Sequence, residues 1–195
     1  MLPDQSQRSS RSTDMEYLDM REALESIEII VDSREQPSSQ AEKRYKAFGC
    51  PYRRQTMSYG DYTYNFRLNG KELIDQSETV YADCIIERKA SLEELSSNLT
   101  HGRARFMREF TKARENGASI YLLIENSDLK SIYAGHYNTH FDKKAYFASF
   151  IAFLARYHIQ PVFCPAELSG QVIYEILYRE LKERLEKGLY DGFSL

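Results

Sequence analysis

In the segment DCIIERKASLEEL (residues 83–95) an apolar run, Cys84-Ile85-Ile86, ends in three consecutive charges, Glu87, Arg88 and Lys89. Charges at the end of a buried strand are costly unless they are paired, hydrated or holding a metal. Alternate side chains of a strand share a face, so Glu87 and Lys89 project together with Ile85 while Arg88 points the other way. An acid and a lysine placed like this can share one small site. Two further strand-like runs bring acids of their own: IEIIVD (27–32) ends in Asp32, with Glu35 just beyond in VDSRE, and Gly60-Asp61 opens GDYTYNFRL (60–68).

Strand ends are where loops commonly build active sites. Gathered carboxylates repel one another unless a cation sits among them. Hard oxygen donors suit Mg²⁺ or Mn²⁺. Such an ion can polarise a phosphoryl oxygen and activate water, and Lys89 would orient the water or stabilise developing charge. The set suits hydrolysis of a phosphodiester. Each fragment alone says little. A lone ExK is ordinarily a solvated pair worth under about 1 kcal/mol, Asp32 reads equally as a cap or turn residue, and Gly60-Asp61 as a turn.

The elements that must position these residues alternate in type. Strands are predicted over 27–32, 52–57, 60–68, 81–89, 119–126 and 159–164, with a turn at Asn69-Gly70. Helices are predicted over 38–48, 91–116 with a break at 100–103, 143–158 and 166–188, and residues 127–140 read as a loop. Such alternation implies an α/β domain with a mixed sheet. Residues 1–13 lack periodicity, and 14–26 carry a short helical pattern.

The chain has 195 residues, 42% hydrophobic and 28% charged, values of one compact domain with a tail. No apolar run reaches the ~18 residues that cross a bilayer. MLPDQSQRSSRSTDM lacks the apolar core of a secretory signal, so a cytoplasmic protein with no membrane partner is expected. The cysteines Cys50, Cys84 and Cys164 have no CxxC spacing and predict neither a disulfide framework nor a zinc cage. His136 and His140 lack the Glu of an HExxH helix, and no P-loop or GxGxxG is present, so zinc, ATP and dinucleotides are not expected. A net charge of −3 argues against a protein that merely coats nucleic acid. It is compatible with a nuclease, whose acidic ligands lower the total.

In order along the chain, VDSRE, GDY, IIERKASLEEL and GRARF resemble the nuclease domain of the XPF family of structure-specific endonucleases. That family's signature is GD, a spacer, ERK, three residues and an Asp. Gly60 and Asp61 match its first part, and Glu87, Arg88 and Lys89 its second. The last acid falls on Glu93, which keeps the charge but moves it by one methylene. The resemblance runs from about Glu28 to Cys164 and takes in YLLIEN and FIAFLARYHIQPVFC. It implies a restriction-endonuclease-like fold, a central mixed sheet flanked by helices, over residues 27–195, preceded by a disordered or partly helical tail, 1–26. It implies a Mg²⁺- or Mn²⁺-dependent endonuclease acting on branched or flap-type duplex DNA, as met in DNA repair and recombination. The catalytic set would be Asp32, Glu35, Asp61, Glu87, Arg88 and Lys89. Asp61 and Glu87 would be the principal metal ligands, helped by the Arg88 carbonyl. Asp32 and Glu35 would hold or hydrogen-bond the metal's waters, and Lys89 would act on the nucleophile. The aromatic-rich helices 143–158 and 166–188, with Tyr146, Phe147, Phe150, Phe153, Tyr174 and Tyr178, read first as core packing by their periodicity, and a homodimer formed through such late helices is the alternative that the resemblance implies.

HGRARFMREFTKAR (101–114) sets five cations against the single acid Glu109. Helical spacing puts Arg105, Arg108 and Lys112 on one side and Phe106 and Phe110 on another. The plain reading is a solvated amphipathic helix, and the functional one a phosphate-contacting face. The resemblance adds Arg103 through its GR element, so Arg103, Arg105, Arg108 and Lys112 are the candidate DNA contacts. Arg53 and Arg54 point to opposite faces of a strand and are weaker candidates. Two rival readings stand beside catalysis: an inactive DNA-binding module of the same fold, and a restriction- or resolvase-type nuclease. Many members of the resembled family carry a helix-hairpin-helix domain after the nuclease, and none is expected within these 195 residues. A further DNA-targeting protein, or the dimer itself, is expected to supply that grip.

Overall fold

A computed structural model describes residues 19–190 of the protein. Its strands are β1 (Glu28–Asp32), β2 (Tyr52–Gln55), β3 (Tyr62–Asn65), β4 (Arg67–Leu68), β5 (Lys71–Glu72), β6 (Cys84–Lys89), β7 (Ser119–Glu125) and β8 (Ile159–Cys164). Six of them form one mixed sheet in the order β2-β1-β3-β6-β7-β8. Only β3 pairs antiparallel with its neighbours, while the remaining pairings are parallel. The first residues of β3 therefore lie at the same end of the sheet where β1, β6 and β7 finish. This one reversal lets an acid that precedes a strand meet acids that end others.

The helices are α1 (Ser39–Lys46), α2 (Leu92–Leu99), α3 (Arg103–Glu115), α4 (Leu129–Ala134), α5 (Lys143–Tyr157) and α6 (Ser169–Glu186). The pleat sends Ile85 to one face, where it packs with Leu95 of α2, Phe106 and Phe110 of α3 and Phe150 of α5. Cys84 and Ile86 go to the other, against Ala41 of α1 and Ile173 and Leu177 of α6. Burial of these two apolar faces, at roughly 25 cal/mol per Å² of apolar surface, holds the helices to the sheet. No helix among the described residues is long and apolar enough to cross a membrane.

Two differences from the expected elements have local causes. The loop expected at 127–140 contains α4, whose Asp128 cap accepts the Ser131 N–H and whose end is Gly135 at φ 81°; six residues are too few to display a helical period. The strand expected over 60–68 divides into β3 and β4. Asn69 and Gly70, both at positive φ, turn β4 into β5, as an Asn-Gly hairpin requires. The helical pattern expected over 14–26 is present in its described part, which packs on the body. Residues 19–25 are helical, Ala23 is fully buried, and the Glu22 carboxylate accepts the Asn69 and Gly70 N–H groups. The rest of the expected tail, 1–18, lies outside the described residues, as do 191–195.

Candidate active site

Asp61 links the three strands that meet at the site. Its carbonyl accepts the Asp32 N–H at 2.9 Å, and its own N–H donates to the Ile86 carbonyl at 2.9 Å. Its Oδ2 accepts the Arg88 N–H at 2.7 Å. The glycine before it is required by geometry. Gly60 has φ +77°, and a Cβ there would stand 2.8 Å from the Ile85 Cβ, so the chain approaches β6 closely only without a side chain.

A cleft of about 510 Å³ opens at this sheet end, with Asp32, Asp61, Glu87 and Lys89 among its walls. Burial, and then the charge of Glu87, hold the Asp61 carboxyl well above its ordinary value, with partial relief from Lys89 and the Arg88 N–H. Lys89 Nζ donates to Glu87 Oε1 at 2.7 Å, reaches Glu94 Oε1 at 3.5 Å and lies 5.1 Å from the centroid of the Phe106 ring. Burial alone would lower the Lys89 pKa, but Glu87, Asp61 and Glu94 outweigh it and raise it above the usual lysine value. Lys89 is therefore a fixed ammonium, suited to donating hydrogen bonds and unsuited to acting as a base.

Arg88 faces the opposite side, as the pleat predicts. Its Nη2 donates to Glu35 Oε1 at 3.0 Å and its Nη1 to Glu125 Oε2 at 3.1 Å. Arg44 of α1 reaches the same two acids, with Nη1 at 3.3 Å from Glu35 and Nη2 at 3.2 Å from Glu125. Glu35 also accepts the Tyr62 hydroxyl at 3.2 Å. Asp32 is almost fully buried and is gripped by the forked Arg34 guanidinium, with Arg34 Nε at 2.9 Å from Oδ2. Of the four expected metal-site acids, Asp61 and Glu87 thus face one another's charge, while Asp32 and Glu35 are each engaged by arginine. Two carboxylates with room for water form a donor set that suits Mg²⁺ or Mn²⁺. No group of three or more His, Cys, Asp or Glu side chains among the described residues is arranged to hold a metal ion.

Glu93 and its neighbour have separate duties. Glu93 accepts the Asn138 N–H at 2.8 Å, and that bond holds its carboxyl below the ordinary range. Glu94 lines the cleft, and besides Lys89 it accepts the Ala90 N–H at 2.9 Å. Ser91, which caps α2, accepts the Glu94 N–H. The Ser91-x-x-Glu94 spacing is a readable helix-start signal, and it would have directed attention to Glu94. Glu109 also lines the cleft; burial and then Glu87 raise its pKa. Glu125 was legible as one more acid closing an apolar run.

The candidate DNA contacts are divided. Arg105 is exposed, lines the cleft and lies 3.5 Å from Glu109. Arg103 sits instead on a shallow groove between α3 and α5, beside Asn98, Met107 and Arg156. Arg108 and Lys112 are exposed on α3. Arg53 and Arg54 serve internal contacts, Arg53 with Glu28 and Gln55, and Arg54 with the Ser33 and Glu35 carbonyls.

Comparison with known proteins agrees with this fold. The ERCC4 domain model matches residues 31–176. No curated protein matches the chain. Among solved structures, XPF from Aeropyrum pernix is similar at 17% identity and a TM-score of 0.53, over 78% of this chain and 61% of that one. Its complex with DNA is similar at 20% identity and a TM-score of 0.54, over 80% and 65%. The chain thus spans less than two thirds of those structures, and the likeness is one of fold, the restriction-endonuclease-like sheet flanked by helices.

Proposed function

The chain belongs to the ERCC4 domain family, and from that premise we propose that its cleft is the active site of a divalent-metal-dependent DNA endonuclease. The observation that carries the reading is that one cleft holds Asp61, its carboxyl raised by burial and by Glu87, together with Glu87 and the Lys89 ammonium that donates to it at 2.7 Å. Asp61 and Glu87 would hold Mg²⁺ or Mn²⁺, which would supply Lewis-acid polarisation of the scissile phosphoryl group. Lys89 donates to charge developing on that group, and the arginines on Asp32 and Glu35 keep those acids ordered around the cleft. Arg105, at the cleft rim, contacts the backbone phosphates first, with Arg108 and Lys112 along α3 and Arg103 on the neighbouring groove.

The substrate class is branched or flap-type duplex DNA, as the family resemblance implies; DNA binding as such is supported by the similar XPF structure in complex with DNA. A homodimer, with a further DNA-targeting protein, would extend the grip. Tyr146, Phe150 and Phe153 are core residues, so a partner would meet the exposed Leu129, Tyr133 and Ile151 on α4 and α5. A single species at monomer mass in light scattering counts against the dimer.

The test is Mg²⁺-dependent cleavage of flap and splayed-arm DNA. Asp61→Asn and Glu87→Gln should each lower the rate by on the order of 10³-fold, the several kcal/mol a metal site supplies. Binding without cleavage by the parent protein would instead identify a non-catalytic DNA-binding module. Arg103→Ala and Arg105→Ala should each flatten the salt dependence of binding by about one phosphate contact; unchanged slopes reject those two contacts.

A further inference from the structure

Arg44, Glu35, Arg88 and Glu125 alternate in sign around a closed ring. Its four edges are 3.3, 3.0, 3.1 and 3.2 Å, and its side chains range from 2% to 14% exposed. The members come from α1, the turn after β1, the end of β6 and the end of β7. Tyr62 of β3 bonds both Arg44 and Glu35, and Ser169, the first residue of α6, accepts from Arg44 Nε at 3.1 Å. The packing is made for this contact. A Cβ on Gly170 would strike the Arg44 carbonyl oxygen and stand 2.7 Å from the Ala47 Cβ, so α6 seats against α1 only through glycine.

A buried ion pair is weak evidence for stability, since well-packed apolar residues of similar volume often serve as well. What the ring does supply is geometry. Arg88 lies between Glu87 and Lys89 in sequence, and its N–H holds the Asp61 carboxylate. Fixing the Arg88 side chain on one face of β6 therefore fixes the strand end that carries the cleft residues on the other.

We infer that Arg44 is a positioning residue of the active site, acting through Glu35 and Arg88 on the orientation of Asp61, Glu87 and Lys89. The inference rests on the nuclease reading for its kinetic arm. Guanidinium chemistry is needed because one group must bridge two carboxylates, a hydroxyl and a phenol at once, which an ammonium cannot span.

The experiment uses the full chain and three variants: R44M, R44K and the charge-balanced R44M/E125Q, whose introduced amide still offers an oxygen to Arg88. R44M should lose both melting temperature and cleavage. R44M/E125Q should recover most of the melting temperature, yet keep a kcat lowered on the order of 10²-fold at an unchanged KM, the loss expected when reacting groups are misplaced. R44K should show the same kcat loss with its charge intact. Hydrogen exchange at the Arg88 amide should be faster in all three variants, and this readout stands even if the parent protein cleaves no DNA. Parental kcat in either R44K or R44M/E125Q, or parental protection of the Arg88 amide, overturns the assignment. In that case Arg44 merely neutralises buried charge.

Discussion

The two faces of β6 at its final residues meet opposite surroundings. On one, Glu87 and Lys89 look into a cleft with Asp61, Glu94 and Glu109, which Arg88 and Glu35 also border and where acids outnumber the basic groups. On the other, Arg88 enters a ring in which every charge has two opposite neighbours. Three adjacent residues of one strand therefore meet different side-chain partners, because the pleat separates them. Acid charge is in excess on the first side, and on the second each charge is closed on two opposite ones.

Breaking the closed side should have the largest effect on folding. Glu125→Ala leaves Arg44 and Arg88 to share Glu35, an uncompensated buried cation that costs about 3–5 kcal/mol. Urea or thermal unfolding measures it, and a loss below about 1 kcal/mol would show that the ring is not electrostatically tight.

The open side should respond in the other direction. The metal-free native protein holds the Asp61 proton more tightly than the unfolded chain does. Stability therefore falls as pH rises from near 3.8 through the raised native value, because the native state binds more protons in that window. Asp61→Asn should remove this decline and stabilise the chelated protein at neutral pH, by about 1.4 kcal/mol for each tenfold difference in proton affinity. Melting temperatures followed across pH in the presence of chelator decide it. Parallel curves for parent and variant would mean that the cleft carries no such excess charge.

The finest test separates adjacent acids. Glu94→Gln should lower kcat about tenfold, the range seen when groups that orient active-site residues are removed. Glu93→Gln should stay within about twofold and instead loosen the segment at Asn138. The reverse ranking would return the final acid of the family signature to Glu93.

Much of the site was readable because its causes are local. Alternation along a strand assigns Glu87 and Lys89 to one face and Arg88 to the other, and the structure places them so. The positive φ of Gly60 and the Asn69-Gly70 turn likewise follow from residue type. Glu93 does not join the cleft acids, because counting residues from ERK ignores where α2 starts. Ser91 as the cap directs Glu94 toward Lys89 and leaves Glu93 bonded to Asn138 instead. Arg44 left no signal at all: it is one cation among several on a short amphipathic helix, and its partner Glu125 lies 81 positions away.

By itself, then, the sequence determined which residues carry charge at the strand ends, which of them share a face, and where the chain turns. These follow from backbone pleat, turn chemistry and steric demand within a few residues. Tertiary structure alone decided that β3 runs against its neighbours and so brings Asp61 to Glu87. It also decided that Arg44 closes a ring with Glu35, Arg88 and Glu125, and that Arg103 parts company with the cleft. Strand order and helix seating arise from packing two apolar faces whose contacts are distant in sequence, and such contacts leave no period for a sequence to display.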